Sequence, residues 1–105
     1  MALRLPDSLS TPATASEAAF DALGHEIMAE KAASLGRAGD RAGKCLARLD
    51  ACDPASPERP VLLKEAAQAV HAWFIQREIC GLRRHQEVIR ELRIPHEVLV
   101  RLGAA

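Results

Sequence analysis

The sequence predicts an all-α protein: a long antiparallel helical hairpin followed by two short C-terminal helices. Three observations carry that expectation. Apolar and small residues recur at alternating steps of four and three from Met28 to Leu49, and apolar residues at helical spacing again from Leu62 to Ile79. Proline and glycine punctuate the boundaries, with Pro54 and Pro57 between the two runs and Gly81, Pro95 and Gly103 beyond them. No segment makes a convincing strand. At 105 residues the chain is sized for a single domain, with residues 1–15 reading as a mobile tail and 16–105 as the helical domain.

Ser16 is a good N-cap, Glu17 follows in the first turn, and Phe20, Leu23 and Ile27 open an apolar stripe, so the first helix runs from Ser16 to about Cys52. Met28, Ala32, Leu35, Gly39, Ala42, Leu46 and Leu49 continue it as a seam facing another helix. Each of Gly36, Gly39 and Gly43 costs a helix interior about 1 kcal/mol relative to alanine, which predicts a second backbone passing close by. The glycines could instead mark a break into two shorter helices; one continuous helix is the expectation.

Asp53 to Ser56 form the turn, and Ser56, Pro57 and Glu58 supply cap, first-turn proline and first-turn acid to a second helix ending near Cys80. Pro60 still falls in the first turn, where its missing N–H is not needed. Two apolar ladders follow, Leu62–Ala66–Ala69–Trp73 and Leu63–Ala67–Val70–Phe74, and Ala72, Ile75 and Ile79 add a third side. Gly81 offers a left-handed cap, Leu82 to Leu92 reads as a third helix, and Ile94-Pro95 stops it and starts a fourth that ends at Gly103 and buries Val98, Leu99 and Leu102. The first helix would span ~55 Å and the second ~37 Å, so the last two helices are the natural cover for the Phe20 to Met28 end. A helix apolar on most of its circumference needs more than one neighbour, which predicts a homodimer packed as a four-helix bundle. Its interface would use Leu35, Gly36, Gly39, Ala42, Gly43, Leu46, Trp73, Ile75 and Ile79.

Composition narrows the function classes. Fourteen basic residues balance fourteen acidic ones, which removes the usual electrostatic argument for nucleic acid or an anionic membrane as partner. Cys45, Cys52 and Cys80 are an odd number without short pair spacing, and no secretory or membrane-spanning apolar run occurs, which together predict a reduced, cytoplasmic protein. Cys45 and Cys52 are two helical turns, ~10 Å, apart, too far to share a bond or a metal.

Asp21, His25, Glu26 and Glu30 cluster on the first helix, but alanine stands at position 29 where a zinc-protease helix needs its second histidine. No Glu-x-x-His pair precedes any histidine. Neither metal nor cofactor is expected. Cys80 lies near Arg77, Arg83, Arg84 and His85 in sequence, the one setting that could activate a thiol, yet it also ends an apolar helix, where an inert thiol is the commoner case. No catalytic residues are assigned. Gln76, Arg77 and Glu78 interrupt the most apolar stretch and are the candidates for a polar pocket; an interhelical ion pair of Arg77, its stem covering Trp73 and Phe74, is the plainer reading.

The segments EIMAE at 26–30 with SLGR at 34–37, WFIQREICGLR at 73–83 and IPHEVL at 94–99 resemble a family of small bacterial proteins of unknown function. The resemblance spans about Phe20 to Gly103 and misses the N-terminal tail. It implies a compact all-helical domain and brings no activity, cofactor or catalytic residue with it. The functional expectation is a small interaction or regulatory module acting through homodimerisation or an unknown protein partner. The alternative is a DNA-binding dimer using the 82–102 helix pair with Arg90 and Arg93 on the phosphates.

Overall fold

A computed structural model of the chain describes residues 14–104. These form four helices: α1 (Ala15–Ala51), α2 (Arg59–Ile79), α3 (Gln86–Glu91) and α4 (His96–Leu99), with no strand among the described residues. The expected tail falls mainly on residues 1–13, outside the described ones. The contacts divide the chain into two units, Met1–Glu30 and Lys31–Ala105.

α1 is one continuous helix through all of its glycines. Its cap is Thr14 rather than the expected Ser16: Thr14 Oγ1 accepts the Glu17 N–H at 3.1 Å and the Thr14 carbonyl accepts from Ala18. Thr14 and Glu17 have the spacing of a capping box, a stronger start signal than a lone serine. In the first unit Phe20 (76% exposed), Leu23 (53%), Ile27 (48%) and Met28 (69%) keep large apolar side chains in solvent.

In the second unit α1 and α2 form the hairpin. Asp53 Oδ1 accepts the Ala55 N–H at 2.9 Å and Ser56 Oγ accepts the Glu58 N–H at 3.2 Å, so two side chains hold the turn. α2 then begins at Arg59, with Pro60 in its first turn. Ala42, Cys45, Leu46 and Leu49 of α1 are buried with Leu63, Ala66, Ala67, Ala69, Val70 and Phe74 of α2 in one cluster. Small residues on both helices let the backbones come close.

Gly39 alone among the three mid-helix glycines has a close neighbour. A Cβ there would lie 3.1 Å from Trp73 Nε1, so the approach comes from an indole of the same chain, not from a second backbone. Gly36 and Gly43 have nothing within 4 Å of such an atom. Gly36→Ala should therefore raise the unfolding free energy by up to about 1 kcal/mol, while Gly39→Leu should lower it by about 1–3 kcal/mol through overpacking against Trp73. Urea midpoints of the two variants moving in the same direction would refute this placement.

α2 ends in a Schellman turn. Leu82 N–H donates to the Arg77 carbonyl at 2.8 Å and Gly81 N–H to that of Glu78 at 3.0 Å, with Gly81 at φ 89°. The expected third helix from Leu82 does not form until Gln86. Two contacts hold residues 82–85 out of helix: Arg77 Nη2 takes the Arg84 carbonyl at 2.9 Å, and the His85 ring stacks on Phe74 with centroids 4.1 Å apart. α3 closes with a second turn of the same kind, Ile94 N–H to the Ile89 carbonyl at 3.0 Å, with Arg93 at φ 50°.

Phe20, Leu23, Ile27 and Met28 stay exposed instead of gaining the expected cover, and the C-terminal helices pack on the hairpin. They run back along α2 to the hairpin turn, where Glu97 of α4 pairs with Arg59 at the start of α2. Ile94 and Val98 complete the core, Leu99 and Leu102 pack against it, and Gly103 lies against His71. In that position Ile94 and Val98 join the buried cluster of Ala42 and Val70. The fourth helix is also shorter than expected, a single turn followed by turns to Gly103.

Candidate functional site

The expected interface residues divide sharply. Ala42 and Leu46 are buried against their own chain, and the seam read from the sequence is occupied by the hairpin itself. Leu35, Gly39, Gly43 and Trp73 are half-buried along it and Gly36 is exposed. Ile75 (45%) and Ile79 (53%) alone keep outward-facing apolar side chains.

The polar triplet is brought together with a residue that sequence reasoning left apart. Arg77 Nε donates to His85 Nδ1 at 3.1 Å, and His85 Nε2 lies 2.9 Å from Glu78 Oε2. Because Nδ1 accepts from Arg77, the ring proton sits on Nε2 and donates to Glu78. Arg77 also lays its guanidinium 5.6 Å from the Trp73 ring centroid. The expected carboxylate partner of Arg77 is replaced by an imidazole and the Arg84 carbonyl, and Gln76 stays half-buried outside the cluster's bonds. Both nitrogens of His85 are used inside the chain, so the group acts as a brace that holds residues 82–85 on α2. Cys80 points elsewhere, its Sγ 3.8 Å from the Lys31 carbonyl.

Among the described residues no group of three or more His, Cys, Asp or Glu side chains could hold a metal ion, and no helix is long and apolar enough to cross a membrane. The helix pair proposed for DNA ends in one turn whose Val98 is core and whose Glu97 holds Arg59, too short to lie in a groove as a recognition helix does.

A basic stripe was missed at the sequence level. Arg37, Arg41, Lys44 and Arg48 follow one another at steps of four, three and four, which sets them on one face of α1. With Asp40 and Cys45 they line an open trough of about 720 Å³ whose other wall is Glu65 and Gln68 of α2. Arg48 reaches Glu65 across it at 3.4 Å and also donates to Cys45 Sγ at 3.3 Å. The spacing alone could have revealed the stripe.

A family model described as a family of unknown function, DUF6665, matches residues 1–105. The chain belongs to DUF6665. The match includes the N-terminal stretch that the resemblance left out. No curated protein and no solved structure matches it.

Proposed function

We propose that this DUF6665 chain is an association module that binds a second copy of itself. One observation carries the reading: Phe20, Leu23, Ile27 and Met28 form a helical stripe of large apolar side chains, each between 48% and 76% exposed. Scattered exposed apolar residues need no explanation, but a contiguous stripe of four marks a surface that is covered by something. Ile75 and Ile79 supply further exposed apolar surface on α2. The Arg77–His85–Glu78 brace is closed on itself, and the reading assigns it no ligand.

Light scattering across a hundredfold range of concentration tests this. The expected mass is twice the 11.4 kDa of one chain. Ile27→Glu should give a monomer with unchanged helical circular dichroism, since the side chain is half in solvent within one copy. A wild-type chain that stays monomeric throughout, or an Ile27→Glu variant that associates as tightly as wild type, would overturn the proposal.

A further inference from the structure

We infer that two copies pair antiparallel along α1, Glu26 and Glu30 of each meeting Arg41 and Arg37 of the other. The inference rests on the self-association reading above and specifies its orientation. Charge is strongly divided along α1. Residues 15–30 hold Glu17, Asp21, Glu26 and Glu30 with no lysine or arginine, whereas residues 31–51 hold five cations against Asp40 and Asp50.

Glu26 and Glu30 share one face of residues 15–30, and Arg37, Arg41, Lys44 and Arg48 share one face of residues 31–51. Glu26, Glu30, Arg37 and Arg41 are all exposed. Four residues separate the two acids and four separate the two arginines, so one seating satisfies both pairs at once. Glu26 and Arg41 lead the pairing. Glu30 and Arg37 extend it beside contacts in their own chain, such as Arg37 to Ser34 Oγ at 3.1 Å.

A parallel seating could match the same charges, but it would leave an acidic end and a basic end unpaired at every step and grow without closing. The antiparallel one uses each contact twice about a two-fold axis and closes at two copies. Leu23 and Ile27 lie beside the acidic strip on the segment, and the trough that receives it is walled on α2 by Glu65 and Gln68. Exposed ion pairs add little affinity but set register, so the apolar stripe supplies the attraction and the charges choose the direction.

The test is a charge exchange in the full chain. Glu26→Arg with Glu30→Arg makes one variant, and Arg37→Glu with Arg41→Glu makes the other. Each alone should self-associate at least about tenfold more weakly than wild type, because every facing pair becomes like-charged. Mixed in equal amounts they should recover near-wild-type affinity, as one-to-one heterodimers by native mass spectrometry. Both variants dimerising like wild type, or a mixture that fails to recover, would overturn the charge pairing and leave self-association standing. A mass that climbs past two copies would overturn the antiparallel seating, and a monomeric wild type would remove both readings.

Discussion

Phe74→Ala is expected to lower the unfolding free energy by about 3–5 kcal/mol, the range for removing a buried aromatic ring from a packed core. Phe74 is 7% exposed and belongs to the single buried cluster of the hairpin. It also has a second role, because the His85 ring lies on it with an interplanar angle of 4°. Losing the ring should loosen residues 82–85 beyond the general loss of stability. Hydrogen exchange would show this as faster exchange in that segment than in α2 after correction for the global change. Phe74→Leu separates the two roles: it keeps most of the packing volume and loses the stack, so it should cost less than the alanine variant while still loosening the segment. An alanine variant within about 1 kcal/mol of wild type would contradict the core assignment.

Val98→Asp should cost about 4 kcal/mol or more, since it places an ionisable group at a position with no access to water and no partner. Val98 is 0% exposed and is one of the two largest fully buried side chains, the other being Val70 of α2. Although it sits in a helix of four residues, its role is global. The hairpin alone is two helices thick, and the C-terminal segment supplies the third side of its core through Ile94 and Val98. Circular dichroism should therefore lose the signal of α1 and α2 along with that of the short helices, in one transition. A variant that keeps a hairpin's worth of helix with the same melting temperature would show that the segment is dispensable.

The hairpin was legible because its physics is local and periodic. Leu63, Ala66, Ala67, Val70 and Phe74 recur as a helix stripe must, and Asp53 to Ser56 combine the residues that close such a turn. The direction of the C-terminal segment was not legible. It depends on Arg77 and Glu78 gripping Arg84 and His85 and on Glu97 meeting Arg59 across 38 positions, and periodicity carries no information about pairs so far apart. The mid-helix glycines misled for a related reason. Gly39 does mark a close approach, yet its neighbour is the Trp73 side chain of the same molecule, and a missing side chain records only that something is near. The charge division of α1 stood in plain view: total charge sums to zero, and a sum conceals how acids and bases are ordered along the chain.

The two turns centred on Gly81 and Arg93 bear on the order in which this molecule assembles. Each closes through main-chain bonds spanning no more than six residues, Leu82 to Arg77 and Ile94 to Ile89. Bonds of such short reach form in well under the time a chain of this length needs to gather its core, because loop closure over about ten residues takes only ~10–100 ns. In the folded chain the two bends turn the C-terminal arm toward α2 through its own backbone. An arm bent in this way has fewer directions open to it than a free one, so part of the entropy lost on docking is lost at the bends themselves.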